Sequence, residues 1–404
     1  MRTLHGLLRA VGVATAVIVA AAACSSSGSS DGGTSTATGS PIKIGAICTC
    51  SGPLGLKGGA DTYKAWVAST NAAGGINGHQ IEFTLLDDGG TAGKSVTFAR
   101  TLISKHVVAI VDITNVDEPW AKLVQDAKIP VVGLSTSTTP MYSNPDFYPE
   151  GQTENALFPS IIQTAKDAGA KSLGLVYCAE AVQCQEGIDP LKKVGNSLGL
   201  PVTYSTEVAA TAPNYTAQCI AARDKKIEAL FIADVPFVAE KLGANCAQQG
   251  YHPIYVVDGE ILTDTFLTSP GLKDHLVSPS PNLPYFSDAP VVTTMNAALD
   301  KYAPGLRDDH ATYGELPSEG WVSGLLFAAA AKAGGLGANG SAPSAAQVIT
   351  GLNSLKGETL DGFAAPLTFD AGKAHQVNCW FETSLVNGKY SVPNGTKPTC
   401  MTSS

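Results

Sequence analysis

The chain of 404 residues is long enough for two or three domains. Hydrophobic residues make up 44 % and charged residues only 15 %, which gives ample core and excludes a disordered acidic or basic arm. A net charge of −9, with no basic cluster or Arg-rich helix, argues against nucleic acid as a partner.

Arg2 and Arg9 precede an apolar run over 11–23 that ends Ala21-Ala22-Ala23-Cys24. A charged region, a short apolar run and small residues before a cut predict a signal peptide over 1–23. The run is too short and wrongly flanked for a membrane span. Cys24 resembles the acceptor of a bacterial lipobox, with Ala21 where the usual Leu stands. Acyl chains, at about 0.8 kcal/mol per buried methylene, would hold such a chain on a membrane. Residues 25–40 are almost purely Ser, Gly, Thr, Ala and Asp, which cannot bury a core. The expectation is an extracytoplasmic chain, lipid-anchored through Cys24 to a bacterial membrane, with a flexible tether over 24–40.

Residues 41–88 read as a complete β-α-β opening. Ile42, Ile44 and Ala46 alternate as in a strand, and a Gly-rich loop runs from Ser51-Gly52-Pro53 to Gly58-Gly59. Ala60, Tyr63, Trp66 and Val67 then recur at helical spacing, and Gly74-Gly75 stops that helix. Asn77-Gly78 makes a tight turn into a second alternating strand, Ile81, Phe83 and Leu85, ending at Asp87-Asp88. This ordered set (a strand, SGP, a helix ending NAAGGINGHQI, a strand ending DD) resembles the type I periplasmic binding proteins, in particular the leucine/isoleucine/valine-binding branch of ABC-transporter receptors. The resemblance is strong to about residue 134, looser to about 277 and weak beyond.

The alternation of strands and helices continues. Val96, Ala99, Leu102 and Ile103 make a helix face, 107–111 a buried strand, Ala121, Val124 and Ala127 a helix, and 130–134 a strand. A long polar loop is expected over 135–155. A second series begins with a helix over 158–168, with strands over 173–177, 202–208, 229–232 and 254–257. Helices over 191–198 and 237–249 lie between them, and further helices over 291–302, 321–333 and 345–355 follow. The run 322–331 is half a bilayer long and reads as a buried helix. The Pro-rich segment 279–290 would return the chain to the first lobe, and a hairpin at Asn387-Gly388 would return it to the second. The expected fold class is α/β: two doubly wound, mostly parallel lobes, 41–157 plus 286–364 and 158–285 plus 365–404. The resemblance implies three crossings between them, and such a hinge allows closure around a ligand.

Without Cys24 eight cysteines remain, an even count suited to an oxidising compartment. Proximity in sequence favours Cys178–Cys184, Cys219–Cys246 and Cys379–Cys400. That leaves Cys48 and Cys50, whose bridge would close a very small ring. No cysteine or histidine spacing suits zinc.

Parallel sheets bind ligands in the loops at the carboxyl ends of their strands. In the first lobe Thr114, Ser137 and Thr138 offer hydroxyls beside helix N-termini, where free N–H groups favour a carboxylate. The same residue types also serve as ordinary helix caps. The resemblance implies that hydroxyls in these loops hold the α-carboxylate of an amino acid. It also aligns Glu260 with the acid that holds the ammonium, with Asp258 a near alternative. It departs from the family at the second-lobe loops, where Ala179-Glu180-Ala181-Val182-Gln183-Cys184 and Asp234-Val235-Pro236-Phe237 replace expected tyrosines. Lys57 stands where an aromatic residue often covers the ligand, and would otherwise face solvent.

Asp88-Gly-Gly-Thr-Ala-Gly-Lys94-Ser95 mimics a phosphate loop but lacks its first Gly, and Asp87-Asp88 would repel phosphate. No G-x-S-x-G, H-E-x-x-H or S-x-x-K set points to an enzyme. The resemblance thus implies a non-enzymatic receptor without a cofactor, binding a small molecule such as a branched-chain amino acid in an interlobe cleft and delivering it to an ABC permease. A sensor of the same fold, reporting to a membrane signalling protein, is the alternative.

Overall fold

The computed structural model describes residues 39–51, 55–134, 137–180 and 182–401. The expected leader, Cys24 and the tether up to residue 38 lie outside the described residues. No described helix is long and apolar enough to cross a membrane.

Five parallel strands form the first sheet: β1 (Ile42–Cys48), β2 (Ile81–Asp87), β3 (Ala109–Ile113), β4 (Val131–Val132) and β5 (Phe147–Tyr148), in the order β2-β1-β3-β4-β5. The second sheet takes β6 (Leu173–Cys178), β7 (Val202–Val208), β8 (Ala229–Ala233), β9 (Ile254–Val257) and β10 (Leu276–Ser280). A small ribbon, β11 (Lys356–Glu358) with β12 (Leu367–Thr368), precedes β13 (Cys379–Val386) and β14 (Lys389–Ser391), which extend that second sheet, and β15 (Thr399–Cys400) pairs with β13 off its main path. Its order is β14-β13-β10-β9-β8-β6-β7. The parallel part, β7-β6-β8-β9-β10, repeats the order of the first sheet, so the two lobes are built on one plan. The antiparallel β13 and β14 are appended at the β10 edge.

Three segments cross between the sheets side by side. The Gln152 N–H donates to the Pro281 carbonyl (3.3 Å) and Asn282 Nδ2 to the Glu150 carbonyl (2.9 Å). The Thr153 and Val377 segments exchange bonds of 3.1 and 3.0 Å. A Cβ on Gly151 would meet the Asn282 side chain at 2.9 Å, so the first two crossings are packed to contact.

Two expectations about elements are corrected. The stretch 135–155 is not one polar loop: it holds a short helix, Thr139–Ser143, and β5, whose Phe147 and Tyr148 are buried. Two strand residues are too few to show a period. The 279–290 segment is not all connection either, because β10 takes in Pro279 and Ser280. Proline is tolerated there because the parallel neighbour β9 pairs only with Leu276 and Val277.

The C-terminal helices pack on the first lobe. The helix Glu315–Ala333 starts six residues before the expected 321, since Pro317 falls in the first turn, where its missing N–H costs nothing. It lies unusually close to the helix Lys57–Ala72. A Cβ on Gly320 would sit 2.0 Å from the Gly59 carbonyl oxygen, and one on Gly324 would enter the Trp66 ring. Trp66 in turn meets Phe327 edge-on, with ring centroids 6.3 Å apart.

The eight described cysteines stand as four pairs, Cys48–Cys50, Cys178–Cys184, Cys219–Cys246 and Cys379–Cys400, at bonding distance.

Gly320→Ala is expected to destabilise the protein by roughly 1–3 kcal/mol through overpacking against backbone that cannot retreat. A urea midpoint equal to that of the parent would contradict this close approach.

Candidate functional site

A cavity of about 610 Å³ opens between the lobes. Its walls come from the loops at the carboxyl ends of parallel strands in both sheets: Gly55 to Gly59 after β1, Asn115 after β3, Val235 and Pro236 after β8, and Glu260 to Thr263 after β9. The segment that enters the helix Glu315–Ala333 supplies the remaining side, including Leu306, Asp309, Leu316 and Pro317. The charged side chains on this lining are Lys57, Asp61, Glu260 and Asp309.

Of the residues expected to bind ligand, Glu260 and Lys57 line this cavity. Lys57 is an exposed residue whose ammonium pairs with Asp61 one helical turn on. Asp258 lies just behind, on a void of about 10 Å³ that it shares with Glu260, Glu154 and the crossing residues Gln152, Thr153 and Pro281. Asp258 caps the following turn by accepting the Glu260 N–H at 3.2 Å.

The first-lobe hydroxyls sit differently. Thr114 is fully buried and donates to Asp88 Oδ2 at 2.7 Å, with the Thr49 hydroxyl 2.8 Å away. Thr49 donates to the other Asp88 oxygen. Thr138 starts the helix Thr139–Ser143 without capping it, and donates to Asp117 Oδ2 at 2.6 Å. Ser137 is exposed. A carboxylate therefore stands directly behind two of the three hydroxyls, and buried Asp112 lies beside Asp117. Burial first, then the neighbouring Asp117, pushes Asp112 well above the ordinary range.

The 87–90 turn also settles how the phosphate-loop look-alike is used. Asp87 accepts from the Cys50, Ser51 and Gly89 N–H groups, and Asp88 from Gly90. The backbone donors that would cradle a phosphate are occupied by the chain's own carboxylates.

Sequence reasoning missed the acids that gather where the cavity meets the crossings. Glu150, Glu315 and Glu319 are all fully buried. Glu150 accepts the Leu134 N–H at 2.7 Å and Glu315 the Tyr285 N–H at 3.2 Å, each with its other oxygen unpartnered. Among the described residues neither oxygen of Glu319 has a hydrogen-bond partner. Burial, then the charges of Glu260, Glu150, Glu315 and Asp258, holds Glu319 well above the ordinary carboxyl range. Burial raises Glu315 to about 8. Burial, and then Asp258, raises Glu154 to about 7. Burial also raises Glu150 and Asp258. One signal was legible: Glu315 and Glu319, four residues apart, open a helix with no other charged residue before Lys332.

Among the described residues no group of three or more His, Cys, Asp or Glu side chains is arranged to hold a metal ion.

A two-lobed α/β chain with a cleft between matching sheets is the architecture of a solute-binding receptor. This chain belongs to the periplasmic binding protein family, whose profile matches residues 41–389. The family is extracytoplasmic, and its members are solute-binding proteins rather than enzymes. No curated protein sequence matches. Among solved structures, a branched-chain amino acid ABC transporter protein from Thermus thermophilus with bound valine is 13 % identical, with a TM-score of 0.74 over 89 % of this chain and 97 % of that one. A fatty acid ABC transporter substrate-binding protein from Thermomonospora curvata is 17 % identical, with a TM-score of 0.69 over 88 % and 91 %. An extracellular ligand-binding receptor from Verminephrobacter eiseniae is 18 % identical, with a TM-score of 0.70 over 87 % and 99 %. At these identities the likeness carries the fold.

The raised carboxyl values make stability depend on pH. An acid whose folded value exceeds its unfolded one stabilises the fold at low pH and loses that contribution as pH rises through the folded value. With Glu154 at about 7 and Glu315 at about 8, against 4.5 for a free glutamate, the loss begins near 4.5 and is complete once pH has passed those folded values. Melting without ligand is therefore expected at a lower temperature at about pH 9 than at about pH 5, with the fall lessened in Glu319→Gln. A melting temperature that stays level or rises over this range would contradict the cluster's electrostatics.

Proposed function

We propose that this chain is the substrate-binding component of an ABC importer, capturing an amino acid or similar small polar solute between its lobes and presenting it to a membrane permease. The observation that carries this reading is the cavity itself. It is walled by strand-end loops of both lobes, so a ligand gains its full set of contacts only when the lobes are together. Such differential affinity shifts an open–closed equilibrium without chemistry.

Within this reading Glu260 holds the ligand's amine, Asp258 supports it from the hinge side, and Lys57 covers the entrance. Thr114, Ser137 and Thr138 stand on the first-lobe side, off the present lining of the cavity. Lipidation at Cys24 keeps the receptor near its permease, and the four cysteine pairs are disulfides formed after export. The lobes divide at 41–157 plus 286–364 and 158–285 plus 365–404.

Thermal melting of the chain from residue 41, against amino acids, amines, amides and carboxylic acids, tests the reading. A ligand at a thousand times its dissociation constant adds about 4 kcal/mol, a readily seen shift. The expected result is a shift with at least one amine-bearing solute that is lost in Glu260→Ala. A shift unaffected by that substitution would remove Glu260 from the site, and no shift across the panel would count against this ligand class.

A second expectation concerns the anchor. Cells expressing the full chain should hold it in the membrane fraction, and Cys24→Ser should release it. Equal membrane retention of both forms would contradict lipidation.

A further inference from the structure

The interlobe cavity has a neighbour. A second pocket of about 280 Å³ lies in the second lobe, at the carboxyl ends of β6 and β8 and beside the first turns of the helices Leu157–Asp167 and Ile188–Leu198. Its floor includes Leu175, Leu191 and Phe231, all at most 2 % exposed. Its sides include Leu157, Phe158 and Ile261, which are only half-buried.

The local sequence explains the space. Ala229, Phe231 and Ala233 alternate along β8 on the face that packs with these two helices, so the strand ends on a side chain of a single carbon. The chain enters the second helix through Gly187, which has no side chain and lines the same pocket. Protein interiors normally leave few gaps larger than a water molecule. Here small residues stand where bulk would close the core, and apolar surface of Leu157, Phe158 and Ile261 is left uncovered. An apolar group entering the pocket would remove that surface from water, which is favourable.

The pocket adjoins the cavity. Ile261 lines both. The small void at the hinge shares Leu157 with the pocket and Glu260 with the cavity. The turn Gly259–Ile261 is therefore the sill between two compartments, and a solute lying across it reaches both.

The lining limits what can enter. Among the described residues its charged side chains are Glu154, Asp234 and Asp258, all acids, so an anionic end group would be repelled. A hydrocarbon instead meets leucine, isoleucine and phenylalanine. A cavity of roughly 150 Å³ lined by such residues stays dry and holds benzene. The 280 Å³ pocket has room for an alkyl or aryl group of about eight carbons, longer than the side chain of valine or leucine.

We propose that this pocket is an annex of the solute site and receives an uncharged apolar tail of about eight carbons, while the polar head of the same solute lies in the interlobe cavity. The proposal rests on the reading of that cavity as the solute site, and it names the class of solute as amphipathic.

Chain length is the test. Calorimetry on the chain from residue 41 compares straight-chain α-amino acids, n-alkylamines and n-alkanoic acids with tails of about one to ten carbons. In a series whose head group binds, affinity should rise about fourfold per methylene up to about eight carbons and then level off. Ala233→Phe, which fills the annex from the end of β8, should weaken the longest members by roughly tenfold or more and leave the shortest unchanged. Affinity that peaks at the length of leucine, or that rises equally in parent and variant, would overturn the annex while the solute-receptor reading stands. Absence of binding in all three series also overturns it, and the melting panel then decides the receptor reading separately. A second readout needs no variant. In protein with labelled leucine methyl groups, the resonances of Leu157, Leu175 and Leu191 should shift with the longest member that binds and stay in place with the shortest. Resonances unmoved by a bound long-tailed solute would put the tail elsewhere and overturn the inference.

Discussion

Burying a carboxyl group without a counter-charge forces it to stay protonated or to wait for a cation, and this fold buries several at one place. Glu150 reaches the junction from the first crossing segment, Glu315 and Glu319 from the first turns of the Glu315–Ala333 helix, and Asp258 and Glu260 from the end of β9. These elements belong to both lobes. The relative position of the lobes and the electrostatic cost of that position are therefore one problem. Anything that neutralises the acids favours the arrangement that brings them together, and anything that ionises them opposes it.

The rest of the architecture explains why the acids cannot escape. The Glu315–Ala333 helix is pressed against its neighbour at Gly320 and Gly324, where no side chain fits, so Glu315 and Glu319 are fixed by backbone contact. The crossing segments bond to one another through Gln152, Thr153, Asn282 and Val377, which fixes Glu150. Asp258 is held by its own cap. Rigid placement of this kind lets a site present unfavourable charge to a ligand instead of relaxing away from it.

Much of the fold was legible because it obeys period and punctuation. The alternation from Ile42 to Leu85, the glycine stops and the Asn-Gly turns gave the first β-α-β unit and its resemblance, and the second series repeats the strand order of the first. The misses have physical causes. β5 offers two residues, too few for a pattern, and β10 carries a proline that is harmless only because its parallel neighbour has already ended. The early start of the Glu315–Ala333 helix was hidden by Pro317 and Gly320. The site was less legible than the fold. Glu260 and Lys57 reach the cavity because strand-end loops must line it, but Glu150, Glu154, Glu315 and Glu319 converge from two distant stretches. Thr114 and Thr138 carry the hydroxyls the sequence offered, yet the acids behind them come from residues 26 and 21 positions away.

The protonation state of Glu319 is the most direct measure of the central claim. In protein labelled with ¹³C at the glutamate carboxyl carbon, Glu319→Gln identifies the resonance, and its shift is followed with pH. Without ligand, Glu319 should keep the shift of a neutral carboxyl group to a pH well above 4.5, because burial and the neighbouring acids hold it protonated. A resonance that titrates near 4.5, the value of a solvated glutamate, would contradict this and mean that the acid is compensated or hydrated.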